Sequence, residues 1–232
     1  MTQALEQVKA LFDEWAREGK TDDLEREHTY AAREALREVA VPPSPTILDA
    51  GCGSGYVTRA LAKRLPSATV LGVDVSKEMV DLARDITPKE MFNAVFFEGT
   101  IFDESLNDER FDLIFSMEAL YYMHPVADAI KRLAHLLKPG GQLVIVVDYY
   151  KENGASHGWP KKYGVEMELL SAQDYLDALK EAGLTDPMQR FIRYPEGEGH
   201  PEWKVTEGSL MVSAFKPIEF VTPEEILRET ES

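Results

Sequence analysis

The sequence contains a single cysteine, Cys52, among its 232 residues. One cysteine cannot form a disulfide within the chain, and it cannot supply a cysteine-based structural zinc site. Long apolar runs are missing as well, because no stretch approaches the roughly 18 residues that a membrane-spanning helix needs. The opening residues also lack a basic segment followed by an apolar one, which a secretory signal requires. We therefore expect a cytoplasmic protein that has no membrane as a partner.

Positive charge is scarce in this chain. Its 25 Lys and Arg residues stand against 41 Asp and Glu residues, which gives a formal net charge of -16. A surface this acidic repels phosphate backbones, so nucleic acid is not the expected partner. A small molecule is favoured instead, and we expect the chain to act as a monomer or a homodimer.

Apolar residues recur first at helical spacing and then in short strands. Leu5, Val8, Leu11, Phe12 and Trp15 predict an amphipathic helix at 4–18, and a second helix at about 23–40 ends at the prolines of VPPSP. Apolar strands then alternate with helices, which indicates a parallel sheet buried on both faces. The predicted strands cover 47–50, 69–74, 94–98, 111–116, 142–148, 188–194 and 209–215, and the further helices cover 55–65, 76–86, 126–137 and 171–182.

This pattern divides the chain into three parts. Residues 1–40 form a predicted helical cap, 41–216 the main domain and 217–232 a tail. Residues 149–170 hold several glycines with little periodicity, which predicts a loop over the edge of the sheet. In the tail, TPEE from Thr222 is typical of a capped helix start.

A glycine-rich loop follows the first predicted strand in ILDAGCGSGYVT (47–58). Gly51, Gly53 and Gly55 permit a sharp turn and let a ligand approach the backbone closely. Doubly wound sheets bind ligands at this end of the first strand. Tyr56 stands where a dinucleotide fingerprint has its third glycine, so the spacing disfavours NAD. The alternative is a strand-to-helix turn that binds no ligand.

Asp74 ends the second predicted strand in VLGVDVS, 19 residues after Gly55. A carboxylate at this place can accept hydrogen bonds from both hydroxyls of a ribose. The alternative is that Asp74 caps the helix that begins near Ser76. Because the glycine loop precedes it, we favour the ribose.

Four segments follow one another along the chain: ILDAGCGSG, VDVSKEMVDLAR (73–84), RFDLIFSMEALYYM (110–123) and LLKPGGQLVIV (136–146). In this order and spacing they resemble the class I S-adenosylmethionine-dependent methyltransferases. The resemblance implies an α/β fold with a doubly wound, seven-stranded, mostly parallel sheet, the Rossmann-like methyltransferase fold, under an N-terminal helical cap. It also implies S-adenosyl-L-methionine as the cofactor and a small-molecule acceptor for its methyl group.

The resemblance further implies which residues contact the cofactor. Asp49, Gly51 and Gly53 would line its methionine part, and Asp74 would hold the ribose. Thr100 replaces an Asp that many relatives place beside the adenine amino group, so its backbone would make that contact. The other residues implied around the cofactor are Val75, Met79, Ile101, Met117 and Tyr30. For Tyr30, helix packing is the alternative.

Methyl transfer requires little chemical participation by the protein's side chains. The methyl group of a sulfonium is already activated, so the enzyme mainly aligns the acceptor, and a base is needed only for a protonated acceptor. Polar and aromatic residues follow the fourth and fifth strands, and the catalytic candidates are Asp148, Tyr121, Tyr122 and His157. The alternative for the tyrosines is that they pack in the core, and the alternative for His157 is that it lies on the surface. Tyrosines with carboxylates suit an amine acceptor, whereas His28 is expected to be structural.

Other methyltransferase chemistries lack their signatures here. SMEAL stands where DPPY or NPPY marks methylation of amino-purines and glutamine, and Cys52 in the glycine loop is a small filler rather than a nucleophile. No spacing of His and carboxylates suggests a metal. The expected function is methyl transfer to O, N, S or C of a small molecule. The alternatives are a non-catalytic cofactor-binding module or partner subunit, and an oxidoreductase on a similar sheet.

Overall fold

The computed structural model describes residues 2–218 apart from 107, 109 and 198. The helices in this range are α1 (Gln3–Arg17), α2 (Thr21–Leu36), α3 (Tyr56–Arg64), α4 (Lys77–Ile86), α5 (Val126–Leu136), α6 (Trp159–Tyr163), α7 (Ala172–Glu181) and α8 (Glu202–Thr206), with 3₁₀ turns at Leu120–Tyr122 and Gly154–Ser156. None of the helices in the described range combines the length and the apolar character that crossing a bilayer demands.

Seven strands of the described chain pair into one sheet in the order β3-β2-β1-β4-β5-β7-β6. They are β1 (Thr46–Ala50), β2 (Thr69–Asp74), β3 (Ala94–Glu98), β4 (Phe111–Met117), β5 (Leu137–Val147), β6 (Thr185–Ile192) and β7 (Ser209–Phe215). Strands β1 to β5 pair in parallel, and β7 runs antiparallel to both β5 and β6. The predicted seven-stranded, mostly parallel sheet is confirmed.

Helices cover both faces of this sheet. Leu48 and Ile114 face a core that includes α5 and α7, whereas Ile47 and Leu113 face one that includes α2 and α3. Alternate residues of the central strands therefore enter opposite cores, which is why these strands are continuous apolar runs in the sequence. The connection from β3 to β4 differs from the others, because its described residues within 99–110 contain no helix.

Most predicted boundaries agree with the structure to within two residues, and the larger departures are local. β5 begins at Leu137 rather than at 142, because Leu137 pairs with Phe111 across a bulge. β6 begins at Thr185 rather than at 188, and α2 ends at Leu36 rather than at 40. The short helices α6 and α8 lie in segments that the sequence predicts as connections. The helix start predicted at Thr222 lies outside the described residues.

Candidate functional site

A cavity of about 410 Å³ lies at the edge of the sheet where β1, β2, β4 and β5 have their carboxyl ends. Its volume is within the roughly 300–1,000 Å³ that is typical of small-molecule sites. The cavity extends from the glycine loop after β1 to the residues that follow β4 and β5. Residues of α1, α2, α6 and α8 complete its wall, so the cap and the late connections both contribute to it.

The glycine loop makes the turn that the sequence predicts. Gly51, Gly53 and Gly55 all have positive φ, at 79°, 52° and 79°. A Cβ atom on Gly55 would lie 2.3 Å from the Phe96 ring, and one on Gly51 would lie 2.2 Å from the Cβ of Ala119. A Cβ on Gly53 would meet no heavy atom within 4 Å, and Gly53 lies on the cavity wall. Gly51 and Gly55 therefore permit close packing, whereas Gly53 leaves room for a ligand.

Asp74 lies on the cavity wall beside this loop. Its Oδ2 accepts a hydrogen bond from the Gly53 amide at 2.8 Å, and its Oδ1 accepts one from the Ser76 amide at 2.9 Å. Burial raises the pKa of Asp74, and these two backbone hydrogen bonds oppose the rise. The side chain that caps α4 belongs to Ser76, which accepts from the Met79 amide at 3.1 Å. Ser76 is therefore the N-cap of α4, and the carboxylate of Asp74 holds the Gly53 and Ser76 amides.

Two polar contacts tie the cap helix α1 to this end of the sheet. The Ser76 hydroxyl donates to Oδ1 of Asp13 at 2.6 Å, and the ammonium of Lys9 donates to Oε1 of Glu98 at 2.7 Å. Lys9 and Asp13 lie one turn apart on α1. Their partners are Glu98, which ends β3, and Ser76, which follows β2. The cap is thus held against the ends of β2 and β3 by Asp13 and Lys9, two residues of α1 that no motif marks.

Asp49 is buried beneath the glycine loop and is not part of the cavity wall. Its Oδ2 accepts a hydrogen bond from the Thr58 hydroxyl at 2.7 Å. Burial raises the pKa of Asp49 to about 7, with the Thr58 hydrogen bonds opposing the rise. The carboxyl group therefore joins the end of β1 to α3 behind the loop.

The wall near β2 and β3 is largely apolar. Val75, Met79 and Ile101 line it together with Thr100. The amide and the hydroxyl of Thr100 both donate to Oδ2 of Asp103, at 2.6 and 3.1 Å. The Thr100 amide is therefore engaged within its own loop, and the predicted contact of the Thr100 and Ile101 backbone with adenine stays a prediction.

Glu118 follows β4 at the other end of the cavity, in the left-handed region with φ of 54°. Its Oε2 accepts from the Tyr121 hydroxyl at 2.8 Å, and its Oε1 accepts from the Asp148 amide. Burial and the neighbouring Asp148 charge raise the pKa of Glu118. Glu118 thus connects the residues after β4 to the end of β5.

Asp148 faces the cavity, and its side chain is only 1% exposed. Among the described residues, neither carboxylate oxygen has a hydrogen-bond partner. The Lys204 ammonium lies 3.5 Å from Oδ2 and is 2% exposed, and it donates to the Glu27 carbonyl at 2.6 Å. His28 Nε2 lies 3.9 Å from the same Oδ2. Burial lowers the pKa of His28 to about 4, so its ring is neutral near pH 7.

His28, Glu118 and Asp148 bring potential ligand atoms within 4.8 Å of one another. A set of one imidazole and two carboxylates has the composition of a metal site. Lys204 already places a positive charge against Asp148, and both oxygens of Glu118 accept hydrogen bonds. The arrangement therefore resembles a charge-compensated polar pocket more closely than a metal site.

Aromatic side chains surround this polar pocket. Tyr121 and Tyr122 pack with ring centroids 4.6 Å apart, and Phe12 of α1 meets Tyr122 at 5.4 Å. Trp159 of α6 and Trp203 of α8 stand 6.2 Å apart on the same wall. Burial raises the pKa of both tyrosines, so their hydroxyls stay protonated near pH 7. Protonated hydroxyls of this kind can donate hydrogen bonds.

The cavity brings together most of the residues that the sequence predicts for the site. Those on its wall are Gly51, Gly53, Asp74, Val75, Met79, Thr100, Ile101, Met117, Tyr121, Tyr122 and Asp148. Three others lie away from it: Asp49, Tyr30 and His157. Tyr30 packs on Tyr194 with centroids 4.7 Å apart, as in the helix-packing alternative. His157 is exposed, and its Nε2 lies 3.1 Å from the Lys151 carbonyl.

Sequence reasoning missed two polar residues of the pocket, Lys204 and His28. Lys204 lies in a connection without periodicity, and nothing around it in the sequence signals a site. The sequence does hold a signal for His28. The spacing of Thr21, Leu24 and His28 places them on one face of α2, and all three line the cavity.

Comparisons with known proteins agree with this geometry. Residues 47–141 match the methyltransferase domain family. The chain is 36% identical over 121 residues to trans-aconitate 2-methyltransferase of Variovorax paradoxus, covering 52% of this chain and 45% of that protein. It is 37% identical over 97 residues to the ubiquinone biosynthesis O-methyltransferase of Coxiella burnetii, covering 42% and 41%. The chain therefore spans less than half the length of these curated relatives.

Solved structures extend the match over nearly the whole chain. One chain of the complex between the Haloferax volcanii Trm112 methyltransferase activator and a protein described as a methyltransferase superposes with a TM-score of 0.80 and 31% identity. That match covers 89% of this chain and 97% of the other. A methyltransferase of Thermotoga maritima shares the fold with a TM-score of 0.65 and 19% identity, covering 90% and 99%.

Proposed function

Because this chain belongs to the class I S-adenosylmethionine-dependent methyltransferases, we propose that it transfers a methyl group from S-adenosyl-L-methionine to a small-molecule acceptor. The proposal rests mainly on the extent of the cavity. A single cavity joins the glycine loop and Asp74 to the buried carboxylate of Asp148. Cofactor and acceptor can therefore meet inside one enclosure from which the aromatic wall excludes water.

The residues at the first end fit the cofactor that the family implies. The open space at Gly53 admits the methionine part, Asp74 can accept from the ribose hydroxyls, and Val75 and Met79 offer an apolar surface to the adenine. When bound, the cofactor supplies an electrophilic methyl group on a sulfonium. Asp49, which lies behind the glycine loop, would hold that loop in position.

We assign Asp148 the role of proton acceptor for the nucleophile of the acceptor molecule. Both of its oxygens are buried, and neither forms a hydrogen bond with any residue that the structure describes. The ammonium of Lys204 lies 3.5 Å from Oδ2 and places a compensating charge beside the carboxylate. An O–H or N–H group in the pocket can donate to Asp148, and its proton passes to the carboxylate as the nucleophile is methylated.

The pocket suits a neutral acceptor with a flat apolar body. Lys204 balances the charge of Asp148, and both oxygens of Glu118 already accept hydrogen bonds, so a cationic amine gains little from the carboxylates. Tyr122, Trp159 and Trp203 present aromatic faces beside the polar pocket. We therefore propose a ring-bearing acceptor with a hydroxyl group, in place of the amine that the tyrosines and carboxylates alone suggest.

The test is turnover of the purified chain with S-adenosyl-L-methionine and matched panels of phenols, aliphatic hydroxy acids and amines. Mass spectrometry would follow S-adenosylhomocysteine and the methylated product. We expect turnover of neutral phenols, and its loss in Asp148→Asn without loss of cofactor binding. Cofactor binding with no turnover in any panel would instead favour the non-catalytic binding module.

We also propose that the chain takes a protein partner of the Trm112 activator type. The relative that it matches over 89% of its length was solved with such an activator. Size-exclusion chromatography with light scattering, using the Trm112 protein of Haloferax volcanii as the probe, distinguishes a 1:1 complex from a monomer or a homodimer.

A further inference from the structure

The ammonium of Lys204 is surrounded by groups that bind cations. Its Nζ lies 3.5 Å from Oδ2 of Asp148 and donates to the Glu27 carbonyl at 2.6 Å. The same atom lies 4.7 Å from the centroid of the Tyr194 ring and 5.3 Å from that of the Trp203 ring. We call these four partners the ammonium cage. Carboxylates, carbonyl oxygens and aromatic faces together recognise ammonium ligands, so the chain fills such a site with its own lysine.

The charges on the cavity wall beside this cage are mostly negative. Among the described residues that line the cavity, Lys204 is the one lysine or arginine. His28 adds no charge near pH 7, since burial lowers its pKa to about 4. The acidic residues on the wall are Glu25, Glu27, Asp74, Glu118 and Asp148. Without the charge of Lys204, this wall would attract a cationic ligand.

Lys204 is fixed in the cage by its backbone as well as by its side chain. Its amide donates to the Pro201 carbonyl, and its carbonyl accepts from the Tyr194 amide, both at 2.9 Å. Burial acts to lower the pKa of Lys204, but Asp148, Tyr194 and Glu118 together outweigh burial, so that pKa is raised. The ammonium therefore stays charged near pH 7 and stays in one place.

We propose that Lys204 selects the methyl acceptor by charge, because its ammonium occupies the ammonium cage of the pocket and thereby excludes cationic acceptors. This inference rests on the neutral acceptor proposed above and names the residue that enforces it. A second ammonium beside Asp148 would lie close to a like charge, which costs affinity. A neutral hydroxyl group carries no such penalty and can still donate to Asp148.

The first test compares benzyl alcohol with benzylamine, which has a similar shape but is a cation near pH 7. Calorimetric titration of the full chain saturated with S-adenosylhomocysteine gives both affinities. We expect Lys204→Met to bind benzylamine about tenfold more tightly than the wild type does, with a much smaller change for benzyl alcohol. Methionine keeps most of the side-chain volume but leaves the charge of Asp148 uncompensated. Lys180→Met is the matched control, because Lys180 of α7 is exposed, and it should behave as the wild type.

The second test empties the ammonium cage. Lys204→Ala removes the long side chain, so a small ammonium ion can take its place. We expect propylammonium chloride, at roughly ten times its Kd, to raise the melting temperature of Lys204→Ala by about 3–6 °C. Equal concentrations of 1-propanol or sodium chloride should not do so. Lys204→Met fills the space and should not respond, and adding Asp148→Asn to Lys204→Ala should remove the response.

Three results would overturn this inference. The first is a wild type that binds benzylamine more tightly than benzyl alcohol, and the second is no gain in benzylamine affinity in Lys204→Met. The third is a response of Lys204→Ala to propylammonium no larger than its response to sodium chloride, and failure of that variant to fold with propylammonium present counts as the same result. Both tests measure ligand binding without methyl transfer, so a failure of the proposed reaction would appear separately, in the panels of acceptors.

Discussion

The ammonium of Lys204 lies 3.5 Å from Oδ2 of Asp148, and both side chains are almost fully buried. Removing one partner of a buried ion pair leaves an uncompensated charge, which typically costs about 3–5 kcal/mol. We therefore expect Lys204→Met to lower the free energy of unfolding by about that amount, measured by urea denaturation. Adding Asp148→Asn should recover much of the loss, since both charges are then absent. A double variant no more stable than Lys204→Met would show that Lys204 acts through its other contacts.

The placement of Asp74 predicts a specific loss of cofactor affinity. Asp74→Ala should weaken cofactor binding by about 1–3 kcal/mol, because charge-assisted hydrogen bonds to the ribose are lost. Calorimetric titration with S-adenosylhomocysteine measures the change. Asp81→Ala on the solvent side of α4 is the control, and its affinity should match the wild type. If Asp74→Ala bound equally well, the carboxylate would serve only the Gly53 and Ser76 amides.

How well the sequence predicts the structure depends on how far apart along the chain the interacting residues lie. β2, β3 and β7 match their predicted bounds because short apolar runs between turns are a local signal. The glycine loop and Asp74 likewise lie within one β1–α3–β2 unit, so their spacing along the chain is a local signal. Lys204 and His28 approach Asp148 only because α2 and α8 pack over the same strand end. No local pattern encodes that packing, so the polar pocket could not be assembled from the sequence.

Gly53 and Gly55 should respond differently to substitution. Both have positive φ, so alanine strains either position by about 1 kcal/mol. A Cβ at Gly55 also meets the Phe96 ring, whereas one at Gly53 enters open space. We expect Gly53→Ala to fold with little loss of melting temperature but weaker cofactor binding, and Gly55→Ala to lose considerably more stability. Equal melting temperatures for the two variants would contradict this account of the loop.

His28 should make the protein sensitive to mild acid. Its pKa is about 4 when folded, against an ordinary value of 6.5, because burial disfavours the charged ring. The unfolded chain therefore binds more protons between these values, and the free energy of unfolding falls as the pH drops from 6.5 towards 4. His28→Gln should remove this contribution, so the wild type should lose more stability than His28→Gln as the pH drops from 6.5 towards 4, measured by urea denaturation at a series of pH values. Exposed His157→Gln is the control, and its profile should follow the wild type.

Asp49 should have the opposite pH dependence in the same range. Its pKa is about 7 when folded, against an ordinary value of 3.8, because burial favours the protonated carboxyl. The folded chain then binds more protons, so this contribution to stability is complete below pH 3.8 and is lost as the pH rises through about 7. Asp49→Asn can still accept from Thr58 and carries no charge, so it should keep its stability from pH 6 to 8 while the wild type declines. Parallel profiles for the two proteins would show that Asp49 is already ionised in the folded chain.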